Sequence, residues 1–321
     1  METIKQATQP RVSVIMNCYN SAEFLKEAID SVYRQTISGW EIIFWDNAST
    51  DASAGIAKNY DSRLRYFHGA INLPLGEARN KAVAEARGEF IAFLDCDDIW
   101  LPEKLEKQLQ IFSTDDNLAL VYTNTVKFQN NYEVVDFREN DEPPPSGRIF
   151  EHLLKKDFIT LSSAMCRKKH LLSLNSIFNP LFHVGEDWEL WLRLCYYFSA
   201  GYVPEPLTKW RINPNSMTHK KFLLYSAETK MIIDILKNLD SRIGLEYSDE
   251  LRALEDVAIY YQGLGLWFEG RGHEARRTLR PHVKKSIKFF LAYVISFFPQ
   301  NFINFLEKIY FRFRLNKLFT R

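Results

Sequence analysis

The sequence predicts an α/β fold, a mostly parallel sheet flanked by helices, followed by an all-helical region. Three observations carry that prediction. Short apolar runs alternate with helical periodicity from Val12 onward, the pattern of βαβ units. An acidic cluster, Asp95-Cys96-Asp97-Asp98, closes one of these runs, where the carboxyl edge of an open α/β sheet binds ligands. From about Phe222 the pattern changes to helices only. At 321 residues the chain exceeds one ordinary domain, and we expect a large domain over 1–220, a helical region over 221–283 and a distinct tail over 284–321.

Taken in order, Val12 to Met16 reads as a first buried strand. Asn20-Ser21-Ala22-Glu23 has the form of a capping box, and Phe24, Leu25, Ala28, Ile29 and Val32 follow at helical spacing. Glu41 to Trp45 is a second strand ending in Asp46-Asn47, and Arg63 to Phe67 a third. A helix from about Pro74 through Ala86 is expected to stop at Gly88, before a fourth strand over Glu89 to Leu94. Leu105 to Phe112 reads as a helix, Ala119 to Tyr122 as a strand and Val126 to Phe137 as a hairpin turning near Asn130-Asn131. Core pattern resumes at Phe158 to Met165 after the prolines 143–145. Tyr260, Leu264, Phe268 and Ala275, around Gly270 and Gly272, suggest one helical hairpin.

Composition removes several function classes. A formal net charge of +1 gives the molecule no electrostatic reason to bind nucleic acid. The four cysteines, Cys18, Cys96, Cys166 and Cys195, form no CxxC pair, which argues against a zinc site or a disulfide framework. With no apolar stretch in METIKQATQPRVSV, a cytoplasmic setting is expected. A dinucleotide-binding oxidoreductase needs a glycine-rich turn after the first strand, and Met16 to Ser21 contains no glycine. A sugar-phosphate nucleotidyltransferase also wants a glycine-rich phosphate loop, and none is visible. A glycan-binding scaffold with a decayed site is the rival among non-enzymes.

The chemistry starts from Asp95 and Asp97. In extended chain, residues two apart face the same way, so both carboxylates can address one ligand. That spacing suits a hard divalent cation, Mg²⁺ or Mn²⁺, shared with a diphosphate.

Three blocks then carry a resemblance. VSVIMNCYNSAEFLKEAIDSVYRQTISGWEIIFWDNASTD, from Val12 to Asp51, is similar to the opening of glycosyltransferase family two. NLPLGEARNKAVAEARGEFIAFLDCDDIWLP, from Asn72 to Pro102, resembles its second block, and GEDWELWLRL, from Gly185 to Leu194, its third. Order and spacing agree over roughly residues 11 to 215. The resemblance implies the GT-A fold and an inverting, metal-dependent transfer from a nucleoside-diphosphate sugar, usually a UDP-sugar. Tyr19 matches the aromatic that stacks on the base, and Asp46 the acid that hydrogen-bonds it. Asn47 stands in for a commoner second acid and Cys18 for a small hydroxyl residue, which leaves the nucleotide open. Arg79 matches a basic residue near the diphosphate. Asp95, next to Cys96, would contact ribose and metal, and Asp97 would be the principal metal ligand. Asp187 matches the catalytic base, which a poorly nucleophilic sugar hydroxyl requires. Glu186 would shape the acceptor pocket. Arg211 to His219 lies where the family has a loop that closes over the donor.

The tail, Lys284 to Arg321, has a local charge of +7 and many aromatic residues, but no run near the roughly 20 residues needed to cross a bilayer. It is expected to lie peripherally on the inner face of a membrane, beside a glycan or lipid-linked acceptor used in cell-surface polysaccharide assembly. A homodimer is left open by the sequence.

Overall fold

A computed structural model of the chain describes residues 9–129, 132–136, 144–212 and 221–299. The chain divides into two compact units, Met1–Pro214 and Asn215–Arg321.

The first unit begins as the sequence suggests. Strands β1 (Val12–Cys18), β2 (Trp40–Asp46), β3 (Leu64–His68) and β4 (Phe90–Phe93) alternate with helices α1 (Ala22–Tyr33), α2 (Ser53–Ala57) and α3 (Leu75–Ala84). These four strands pair in parallel in the order β3-β2-β1-β4. β1, β2 and β4 are largely apolar and buried because both faces are covered, the mark of a parallel sheet, while β3 at the edge is partly exposed. Beyond β4 the sheet becomes mixed. After β5 (Ile99–Trp100) and α4 (Lys104–Phe112) come β6 (Leu118–Gln129) and β7 (Tyr132–Val135), the expected hairpin. Then follow α5 (Phe150–Lys155), β8 (Ala164–Arg167), α6 (Lys168–Leu172), α7 (Glu186–Tyr197) and β9 (Ser199–Arg211). β8 is antiparallel to both β4 and β6, while β9 runs parallel to β6 and antiparallel to β5. Asn130-Asn131 lie outside the described residues.

Two local expectations are corrected. Ser21 makes no side-chain cap on α1; the Asp51 carboxylate instead accepts the Ala22 amide at 3.0 Å, so a neighbouring loop satisfies the helix N-terminus. Gly88 does not end α3, whose C-cap is Glu85. A Cβ at Gly88 would stand 2.6 Å from the Ser13 amide nitrogen, so glycine lets the chain pass against β1.

The second unit contains α8 (Phe222–Leu239), α9 (Ile243–Glu246), α10 (Ser248–Phe268), α11 (Gly272–Leu279) and α12 (Ile287–Ile295). α10 and α11 form the hairpin around Gly270, whose φ is +78°. Phe289 and Ala292 of α12 pack with Leu279 into a small core that Tyr260 and Leu264 border. Among the described residues, no helix is long and apolar enough to cross a membrane.

Candidate active site

The carboxyl ends of β1 and β2 bring the first group together. Asn20, in the left-handed region at φ 49°, accepts the Thr50 amide through its side chain, and its own amide reaches the Ser49 hydroxyl. The two loops are thereby stitched side by side. Tyr19 projects from this edge, 48% exposed. Asp46 is wholly buried: one oxygen accepts the Ser49 amide at 2.8 Å, the other the Tyr66 hydroxyl at 2.6 Å. Burial pushes its carboxyl up, yet these bonds and the nearby His68 outweigh that and hold it below its ordinary value. Asp46 therefore shapes the loop from within. Asn47 is equally engaged, bonded to Asn72 and to the Leu73 backbone in both directions.

Cys18 and Cys96 sit against each other at the junction of β1 and the acidic loop. A hydrogen bond from Cys96 is the leading cause that lowers the Cys18 thiol to about 7, while Cys96 is pushed well up. The Asn17 carbonyl, 3.2 Å from the Cys96 sulfur, is an alternative acceptor for the same thiol hydrogen.

After β4, Asp95 and Asp97 are partly exposed and Asp98 is buried. The Asp98 carboxylate accepts the Ser162 hydroxyl at 2.6 Å and the Arg211 amide at 2.9 Å, which fixes the loop's shape. Asp97 is raised to about 6, first by desolvation and then by the charge of Asp95. Two like charges held together in a half-buried place favour a bound cation. Among the described residues, no group of three His, Cys, Asp or Glu side chains could hold a metal ion. The donor set fits an ion that takes its remaining ligands from a diphosphate.

Arg79 joins the second block to the third. Its guanidinium, buried over the Phe178 ring, bonds Asp95 at 3.1 Å and also the Glu186 carboxylate. Glu186 is thereby committed to an internal pair, and Asp187, partly exposed at the N-terminus of α7, is the freer acid of the two. Burial, then the charges of Asp157 and Glu186, push Asp187 well above its ordinary value, against the pull of Arg79.

Asp157, which the sequence did not single out, is close enough for its charge to act on Asp187. Its surface is exposed, yet desolvation dominates its titration and raises it to about 7, with Glu186 adding to the effect. No motif in the sequence marks Asp157, so only the fold discloses it. Arg211, expected at the start of a loop, is the last residue of β9. Its guanidinium donates to the Asp97 carbonyl at 2.8 Å and to Glu27 at 2.7 Å, with Phe24 and Phe128 beside it. His219, also in that loop, lies outside the described residues.

Comparison with known proteins identifies the family and the fold. The family model described as Glycosyl transferase family 2 matches residues 13–173. The Escherichia coli enzyme WfgD, UDP-Glc:alpha-D-GlcNAc-diphosphoundecaprenol beta-1,3-glucosyltransferase, is 29% identical over 72% of this chain and 89% of its own. Staphylococcus aureus TarS (residues 1-349) in complex with UDP-GlcNAc shares the fold with a TM-score of 0.58 at 18% identity, covering 89% of this chain and 79% of that one. The Pyrobaculum calidifontis mannosyltransferase PcManGT, in complex with GDP-Man and Mn2+, superposes with a TM-score of 0.54 at 16% identity, over 91% and 88% of the two chains. The chain belongs to glycosyl transferase family 2: it is a glycosyltransferase with the GT-A fold.

Proposed function

We propose that the protein transfers one sugar, with inversion, from a nucleoside-diphosphate donor to a hydroxyl of a glycan or lipid-linked acceptor, in cell-surface polysaccharide assembly. The observation that carries this reading is the Arg79 bridge, which ties the Asp95 and Asp97 loop to the acids at the head of α7. Donor and base chemistry then meet in one place.

In this reading Tyr19 stacks on the nucleotide base, a UDP-sugar being the donor the family most often uses. Asp46 acts indirectly, holding the loop that presents Tyr19, and Cys18 and Cys96 line its floor. Asp97 and Asp95 would hold Mn²⁺ or Mg²⁺ against the diphosphate, and the ion would supply charge neutralisation for the leaving group. Arg79 fixes Asp95 and keeps Glu186 in place. Asp187 accepts the proton of the acceptor hydroxyl as its oxygen attacks the anomeric carbon; the bond to the diphosphate breaks on the opposite face. A carboxyl raised by burial and neighbouring charge is a stronger base once ionised, which suits this task. The undecaprenol-linked substrate in the name of WfgD supports a lipid-linked acceptor.

A panel of nucleotide sugars, assayed for nucleoside-diphosphate release with Mn²⁺, Mg²⁺ or EDTA, tests the proposal. One donor should turn over with metal and stop in chelator, and Asp187→Asn should cut turnover by about 10²-fold or more. Full activity in EDTA, or an Asp187→Asn enzyme as fast as wild type, contradicts it.

A further inference from the structure

The α11 and α12 region carries two surface features that the carboxylate site does not use. The first is apolar. Phe289 and Ala292 face inward, while Ile287, Phe290, Leu291 and Val294 fall at the i, i+3, i+4, i+7 spacing of the opposite face and are 67%, 49%, 50% and 37% exposed. Phe297, one turn on, extends the stripe. A contiguous exposed apolar stripe on an otherwise ordinary surface marks a place of contact.

The second is a cavity of about 370 Å³ lined by His273, Arg276, Arg277 and Arg280, with Tyr293 and Phe297 at its side. Arg276 is fixed there, donating to the Ser296 carbonyl at 2.7 Å with its guanidinium 4.7 Å from the Phe297 ring centre. From Gly272 to Pro299 there are six Lys and Arg residues and one acid, Glu274, which is already paired with Arg271. Lys284 and Lys288 stand exposed beside the stripe.

We propose that this face is a docking surface for an anionic lipid bilayer, with the apolar stripe in the headgroup boundary and the arginine-lined cavity around a lipid phosphate. The stripe and the cations lie on one short stretch and share Phe297, which is the composition of an interfacial helix; a plain subunit interface has no use for so many cations of one sign. The sequence continues alike past Pro299, with Lys308, Arg312, Arg314, Lys317 and Arg321 against Glu307. Docking would hold the enzyme where a lipid-linked acceptor lies, and it rests on the proposed function for its purpose only.

The test is flotation of the full chain with vesicles of phosphatidylcholine alone or mixed with phosphatidylglycerol. Wild type should float with the mixed vesicles at low salt and be released by high salt. Arg277→Gln/Arg280→Gln should weaken binding by about fivefold for each cation removed. Phe290→Gln/Leu291→Gln, which alters only exposed positions, should remain folded by circular dichroism and lose flotation. Wild type that stays unbound at low salt overturns the proposal, as do variants that float like wild type. So does a Phe290→Gln/Leu291→Gln protein that changes from oligomer to monomer with vesicle binding intact. Metal-dependent donor binding measured on the same proteins separates a failure here from a failure of the proposed chemistry.

Discussion

Asp187 owes its character to its neighbours. Burial, Asp157 and Glu186 all oppose its ionisation, so the acid limb of the pH profile should lie above the range of an ordinary aspartate. Since the base works ionised, turnover rises as pH climbs through this raised value. Removing the Asp157 charge makes ionisation of Asp187 easier. Asp157→Asn should therefore move the acid limb of kcat to lower pH, and a limb that stays in place or moves up would remove Asp157 from the site. The two residues differ in legibility: Asp187 stands in a recognisable block, whereas Asp157 is brought to it by the turn after α5. Asp46 shows the reverse limit. Its position was legible, and so is the local bond from the Ser49 amide three residues on, but Tyr66, which takes up its other oxygen, lies on β3 and no local pattern connects the two.

At the level of elements, the parallel half of the sheet was plain because β1, β2 and β4 are bounded apolar runs, with β3 the weaker signal. β9 was missed. Its 13 residues include Pro204 and Pro206, which argue against a strand, and the pairing with β6 accommodates them through register shifts beside Asn124. The same long strand delivers Arg211 to the Asp97 loop, so the error concealed a site residue. Two substitutions test how the elements are joined. Arg79→Met leaves Glu186 buried without its partner and should cost about 3–5 kcal/mol of stability, read as a lower urea midpoint. An unchanged midpoint would mean that the bridge between α3, β4 and α7 is dispensable. Gly88→Ala places a methyl against the β1 backbone and should cost about 1–3 kcal/mol, measured the same way; a neutral result would show that the close approach yields freely.

For the molecule as a whole, the order of three sequence blocks disclosed the class of enzyme, because the ends of β1, β2 and β4 and the head of α7 each fall inside one block. The exposed stripe of α12 was not legible. Phe289 and Phe290 are indistinguishable in composition, and only the packing against Leu279 tells which faces inward. The central claim is that the acids divide their labour, with Asp97 holding the donor through a cation and Asp187 serving the acceptor. Calorimetric titration of UDP and GDP, with Mn²⁺ present, into wild type, Asp97→Asn and Asp187→Asn tests it most directly. The account predicts that one of the two nucleotides binds wild type and Asp187→Asn alike and is lost from Asp97→Asn; binding that survives in Asp97→Asn and disappears in Asp187→Asn would contradict it.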